Sequence, residues 1–479
     1  MINKIRNLPL THFAIGLVAL SVLARIMTLG IYPLMDTTEA RYGEMARIMF
    51  ETGNWITPMF DYNVPFWGKP PLFTWLSAAG FELMGVSEFA ARIPHLIVGF
   101  VILWLTWLVV AKSRNNRDEA WLATAVLATT AAFIVISGAV MTDTALTLGV
   151  TVSMIGFWMS WKHQSKLWGY LFFVGLAIGM LAKGPLTLVL IGISLTLWLI
   201  QNKRWKRITS CLPWKGGILL FAAISLPWYL LAEWKSPGFL NYFIIGEHIK
   251  RFIVSGWEGD LYGSAHKEIR GTIWVFGFLA ALPWTPVLLA QVWRFFRSGE
   301  EGVQEESGYI GFLWCWLLAP LLLFTMAGNI LPSYVMPGLP ALALLIAGYQ
   351  TQNGLPEKVY KLGLITPVLI LIVALLLRYN LTGKEAEKGL LAQWKIQPEH
   401  SQSELIYLQD RPFSGQFYSN GKAREVVFSL SEIMNFRDKS VFLVVEKRHI
   451  PEGFGWEQNG CEIRSESKRR VLAFCNALN

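Results

Sequence analysis

Apolar residues in this 479-residue chain fall in long continuous runs separated by short polar joints. They lack the strict alternation of half-buried strands. Eleven runs approach the roughly 20 residues that one bilayer crossing needs. They lie at about 10–30, 91–111, 119–137, 144–161, 167–182, 185–201, 214–231, 271–292, 307–327, 333–350 and 362–378. The pattern predicts a polytopic all-α membrane protein with about 11 transmembrane helices. The first run, THFAIGLVALSVLARIMTLG, is too long for a signal-peptide core and has no small-residue cleavage site, so a retained anchor is expected. Past residue 380 the pattern changes. SELIYLQD, REVVFSL, SVFLVVEKR and RRVLAFC are short, β-branched and separated by polar turns. Residues 380–479 are therefore expected to form a small C-terminal α/β domain that packs against or covers the membrane part. Residues 1–379 form the transmembrane domain, with long loops at 31–90 and 232–270.

Composition agrees: 53% of residues are hydrophobic and 16% charged, too apolar for an ordinary soluble enzyme. The 22 Trp and 29 Phe suit rings seated at bilayer interfaces. The net charge of +9 is concentrated in short joints: KSRNNR (112–117), WKHQSK (161–166), NKRWKR (202–207) and WRFFR (293–297). That is the positive-inside distribution and argues against a nucleic-acid partner. With the N-terminus inside, the basic joints fall inside. The two long loops, the turns at Asp143 and Lys183, the 328–332 turn and the tail fall outside. For Cys461 and Cys475 in an outside tail, a disulfide and two free thiols both remain open.

The outer face gathers the chain's unusual charge. MDTTEARYGEMARIMFETGNW (35–55) predicts an amphipathic interfacial helix ended by Gly53, with Arg41, Glu44 and Arg47 on its polar side. DTTE also fits a capping box, in which Asp36 accepts from the first turn and Glu39 reaches back. In VPFWGKPPLFTWL (64–76), Lys69 is held among aromatics and prolines, as a phosphate partner or an anchored surface lysine. Glu88 precedes the second span. Asp143 sits alone at one outer turn, as a helix cap or a carboxylate aimed into a cavity. Lys183 sits alone at another. Glu247, His248 and Arg251 share the 239–263 loop, with Glu247 and Arg251 four apart, as in a local ion pair. Tyr334 sits near the outer end of a late span. No nucleotide-binding or HExxH motif is visible. Carboxylates that take a proton from a hydroxyl, together with cations that stabilise a leaving phosphate, suit sugar transfer from a lipid phosphate.

DTTEARYGEMARIM, FWGKPPLFTWL, MTD, AKGP, EHIKRF and LPSYVMP resemble the membrane glycosyltransferases that include the protein O-mannosyltransferases, and more closely the bacterial 4-amino-4-deoxy-L-arabinose transferases that modify lipid A. The likeness runs from residue 1 to about 350. It implies a GT-C type, inverting, inner-membrane enzyme. The donor is a polyprenyl-phosphate-linked sugar used at the periplasmic face, and the acceptor a membrane lipid, glycan or protein. Asp36, Glu39 and Asp143 take the catalytic positions, with Asp36 the favoured base. Lys69, Arg41, Lys183, Arg251 and Tyr334 bind the donor phosphate. Glu88, Glu247 and His248 position substrate. A divalent cation at the acids is compatible with the resemblance but not required by the sequence. The chain departs from the aminoarabinose pattern where Thr38 precedes Glu39 and where Asn329 replaces a lysine. A lipid-linked-sugar flippase and a non-catalytic assembly protein share the topology. The flippase would be expected to show inverted repeats, and none is visible.

Overall fold

The computed structural model describes residues 2–254, 257–262, 268–298, 308–381, 386–430, 432 and 439–477. The chain is mainly helical. Nine helices open it: α1 (Ile2–Thr28), α2 (Thr38–Thr52), α3 (Leu72–Met84), α4 (Glu88–Ser113), α5 (Arg117–Ala128), α6 (Ala131–Ile136), α7 (Thr142–His163), α8 (Lys166–Lys183) and α9 (Leu186–Asn202). A two-stranded hairpin, β1 (Met59–Asp61) and β2 (Val64–Pro65), lies between α2 and α3. Among the described residues, seven helices are long and apolar enough to cross a membrane, including Trp214–Lys235, Pro332–Thr351 and Glu357–Arg378. Thr272–Ala280 and Thr285–Arg294, bent by 98°, make an eighth if they form one span. This is a multi-pass membrane protein.

Helices α7 and α8 pack unusually closely because small residues line their contact. A Cβ at Gly149 would lie 2.6 Å from the backbone nitrogen of Gly179, and one at Gly175 would lie 2.4 Å from Ser153 Oγ. Backbones in lipid approach this closely only over such small-residue seams. The consequence is registry: the first turn of α7 and the last turn of α8 are locked side by side.

The late residues form a five-stranded sheet of order β4-β3-β5-β7-β6, from β3 (Glu404–Leu408), β4 (Ala423–Val426), β5 (Val441–Glu446), β6 (Cys461–Glu466) and β7 (Arg470–Cys475). β3 runs parallel to β4 and β5, and the β5-β7-β6 pairs are antiparallel. Leu405, Tyr407 and Phe442 bury one face against Leu391 and Trp394, while Ile406, Leu408 and Leu443 bury the other. Coverage on both faces explains why these strands read as apolar runs and not as alternations. Cys461 and Cys475 face each other across β6 and β7 and are joined by a disulfide.

The 35–55 segment is helical and ends at Gly53 in the left-handed conformation. Its polar side, expected at an interface, is instead covered. Glu44 and Arg47 are buried, with Arg47 Nε 2.7 Å from Glu44. The short helix Phe413–Tyr418 packs on α2 and places Phe417 among Leu34, Met45 and Phe81. The capping box does not form. The residue preceding α2 makes no side-chain cap, and Asp36 turns away to accept hydrogen bonds from the backbone N–H of Ser414 at 3.0 Å and from its hydroxyl. A partner 378 residues away wins because it satisfies a half-buried carboxylate twice.

Candidate active site

The α7–α8 seam brings Asp143 and Lys183 together. They stand 40 residues apart in sequence, yet Lys183 Nζ donates to Asp143 Oδ1 at 2.7 Å, and both side chains are buried. Lys183 Nζ also lies 4.5 Å from the Tyr334 ring centroid, a cation–π contact. Lys69 is carried on the rigid turn before α3, where Pro70 and Pro71 fix the backbone. It donates to Glu247 Oε2 at 2.8 Å. Glu247 belongs to a π-helical segment, Tyr242–Lys250, and also accepts from Arg251 Nη1 at 3.0 and 3.1 Å. Burial alone would push the Glu247 carboxyl up, but Lys69 and Arg251 outweigh it and hold it below the usual carboxylate range. Arg251 Nη2 reaches Asp260 Oδ2 at 3.4 Å.

A second knot aligns this group. The Tyr262 hydroxyl donates to Pro65 O at 2.8 Å and accepts from Trp67 N–H at 3.0 Å. The Tyr262 carbonyl accepts from Arg41 Nη1 at 2.8 Å, and its N–H donates to Asp260 Oδ1 at 3.1 Å. One tyrosine thus ties α2, the Lys69 turn and the 257–262 loop together.

These side chains line two adjoining cavities, of about 70 and 90 Å³. Lys69, Lys183, Glu247, Arg251 and Tyr334 face both and form the shared wall. The first cavity adds Thr38, Arg41, Tyr42, Phe66, Thr142, Asp143, Asp260 and Tyr262. The second adds Leu186, Phe252 and Phe324 with His248 and Asn329, and is the more apolar of the two. The His248 ring nitrogens lie 2.8 Å from Phe243 O and 3.1 Å from Lys183 O, and burial pushes the imidazole pKa down. The structure therefore brings together Arg41, Lys69, Asp143, Lys183, Glu247, His248, Arg251 and Tyr334.

Three sequence candidates lie outside. Asp36 is committed to Ser414. Glu39 is paired with Arg92, at 2.8 Å from both Nε and Nη2. Glu88 binds Lys388 Nζ at 2.5 Å and accepts from the Tyr418 hydroxyl at 2.9 Å. None of the three lines either cavity. Conversely, Thr38, Asp260 and Tyr262 line the site without having been singled out for it. The one sequence signal for the last two is an acid and a tyrosine in WEGDLYG, a Gly-flanked stretch of the same outer loop. Among the described residues, no group of three or more His, Cys, Asp or Glu could hold a metal ion. Asp143 and Glu247 are each matched directly by Lys or Arg, and Asp260 faces Arg251 Nη2 at 3.4 Å, so this lining suits an anion better than a divalent cation.

The resemblance read from the motifs is borne out. A family model described as dolichyl-phosphate-mannose-protein mannosyltransferase matches residues 12–243. The undecaprenyl phosphate-alpha-4-amino-4-deoxy-L-arabinose arabinosyl transferase of Erwinia tasmaniensis is 29% identical over 342 residues, 70% of this chain and 59% of the relative. Its counterpart in Edwardsiella ictaluri is 28% identical over 389 residues, 79% of this chain and 65% of the relative. The chain thus spans less than two thirds of the length of these curated relatives. In fold, it is similar to the crystal structure of ArnT from Cupriavidus metallidurans bound to undecaprenyl phosphate. The TM-score is 0.78 at 17% identity, covering 97% of this chain and 98% of that one. The same ArnT in the apo state gives a TM-score of 0.76 at 16% identity, with the same coverage.

Proposed function

We propose that this protein transfers a sugar from a polyprenyl-phosphate donor to a hydroxyl of a lipid A-like, glycan or protein acceptor at the periplasmic face of the bacterial inner membrane, with inversion at the anomeric carbon. The observation that carries the reading is the shared wall. Lys69, Lys183 and Arg251 converge between an apolar cavity and a polar one. A lipid-linked sugar phosphate has that order of parts: hydrocarbon, charge, sugar. The phosphate sits at the wall, the polyprenyl chain leaves over Leu186, Phe252 and Phe324, and the sugar enters the cavity of Asp143 and Arg41. Charge developing on the leaving phosphate is then met by fixed cations, which cost no reorganisation as the bond breaks. Tyr334 supports Lys183 through the face of its ring. Asp36, Glu39 and Glu88 act as scaffold, holding the first loop to Ser414, Arg92 and Lys388. No step runs through a metal ion.

The names of the curated relatives point to an aminoarabinose donor and to undecaprenyl phosphate as carrier. For the membrane part we propose eleven crossings. They are the seven long helices, the bent pair, the shorter Leu186–Asn202 and Tyr309–Thr325, and α5 with α6 as one broken span. The domain taken as residues 380–479 is periplasmic and seats on α2 through Phe417. The disulfide supports that side, since such bonds persist in oxidising compartments. The test is a purified-protein assay. Labelled undecaprenyl-phosphate-linked pentoses and hexoses are offered with lipid A, glycan and peptide acceptors. Transfer from at least one donor is expected, and its absence with every pair refutes the reading.

A further inference from the structure

An inverting transfer needs a proton acceptor on the face of the sugar opposite its phosphate. With the phosphate at the shared wall, that group must line the first cavity and must not be consumed by holding the wall's cations. Three carboxylates line that cavity. Glu247 accepts from both Lys69 and Arg251 and faces both cavities, so it belongs to the phosphate side. Asp143 is bonded to Lys183 at 2.7 Å, a full charge-assisted contact that aims the lysine. Asp260 differs on both counts. It faces only the first cavity. Its nearest cation atom, Arg251 Nη2, stands 3.4 Å from Oδ2, beyond the 2.7–2.9 Å typical of a charge-assisted hydrogen bond. Its other oxygen takes the Tyr262 N–H and fixes the carboxylate's orientation. Thr38, the first residue of α2, faces the same cavity, but its alcohol has no useful basicity at neutral pH.

We infer that Asp260 takes the proton from the acceptor hydroxyl. This rests on the transfer reading above and assigns its missing base. In the step, the acceptor oxygen bonds to the anomeric carbon as its proton passes to an Asp260 carboxylate oxygen. The bond from the anomeric carbon to the phosphate oxygen breaks, and its electron pair stays with the phosphate. The polyprenyl monophosphate is released, and Asp260 later returns its proton to water.

The test compares wild type with D260N in the purified full-length protein, using the best donor and acceptor from the panel. General-base removal is expected to lower kcat by about 100-fold or more. Binding of undecaprenyl phosphate should stay within about threefold of wild type, because the wall's cations remain. Azide, a nucleophile that brings no proton, should restore sugar release by D260N to near the wild-type rate with azide. A purely structural role would not give that rescue. Wild-type transfer with an unimpaired D260N overturns the assignment alone. So does D260N that loses undecaprenyl-phosphate binding together with activity, which would make Asp260 a support for Arg251. So does impaired transfer that azide fails to rescue. A wild type inert with every donor overturns the transfer reading itself, and with it this step.

Discussion

Glu39 offers the sharpest separation of scaffold from chemistry. Its carboxylate meets Arg92, a wholly buried guanidinium that also donates to the carbonyls of Leu29, Tyr32 and Pro33 at 2.5, 2.8 and 2.9 Å. Burial pushes the Glu39 carboxyl up, but Arg92 outweighs it and holds the group below its usual range, so the pair is ionised at neutral pH. Breaking one side of a buried pair costs about 3–5 kcal/mol. E39Q keeps one acceptor oxygen, so the low end, about 3 kcal/mol, is expected. That is a loss on the order of 100-fold in the ratio of folded to unfolded protein. R92M should cost at least as much, since it strands Glu39 and frees three carbonyls. The double variant E39L/R92M removes both charges and should be more stable than R92M alone. Thermal denaturation in detergent measures the stabilities. Transfer per folded molecule should stay within a few-fold of wild type, because neither side chain lines a cavity. An E39Q protein as stable as wild type yet inactive would refute the reasoning and return Glu39 to the mechanism.

D36N should lose about 1.5–3 kcal/mol of stability, the range for a hydrogen bond to a charged group, while retaining transfer. Inactivity of a normally stable D36N would restore Asp36 as the base. K69M and K183M should each weaken undecaprenyl-phosphate binding by at least tenfold in a titration, with D143N weaker than wild type but less affected than K183M. Glu247 sets a pH signature. Its folded pKa lies below the ordinary 4.5, so its pairing contributes fully above about pH 4.5 and is lost as pH falls through the depressed value. Melting temperatures of wild type and E247Q should therefore differ by a constant amount from pH 5 to 7 and converge in stronger acid. Treatment with a chelator should leave transfer unchanged, since Lys and Arg already match Asp143 and Glu247. Loss of activity that a divalent ion restores would contradict this.

Much of the molecule was legible because the bilayer enforces a simple code. Apolar length marks the spans, and isolated charges at their outer ends marked Asp143 and Lys183 without revealing that they touch. That contact depends on glycines 149, 175 and 179, whose meaning appears only when α7 and α8 are placed side by side. Glu247 and Arg251 were legible as a pair because helical spacing is local. The cap at Asp36 fails for the opposite reason: its hydrogen-bond partner, Ser414, comes from a late part of the chain that local spacing cannot reveal. The tail's cover was expected, but its seat on α2 was not, since Phe417 comes from a helix with no sequence link to α2. Asp260 and Tyr262 carry no periodicity at all. Their placement follows from hydrogen bonds to Pro65, Trp67 and Arg41, each about 200 residues away.

The shared wall has a consequence for turnover. A sugar phosphodiester carries one negative charge, whereas the lipid monophosphate left after transfer has a second ionisation near pH 6 and carries nearly two. On the transfer proposed above, Lys69, Lys183 and Arg251 should therefore hold the spent carrier more tightly than the fresh donor. Free lipid monophosphate is then expected to compete with fresh donor for the wall. Lipid monophosphate carried through purification should then slow the proposed transfer until it is removed.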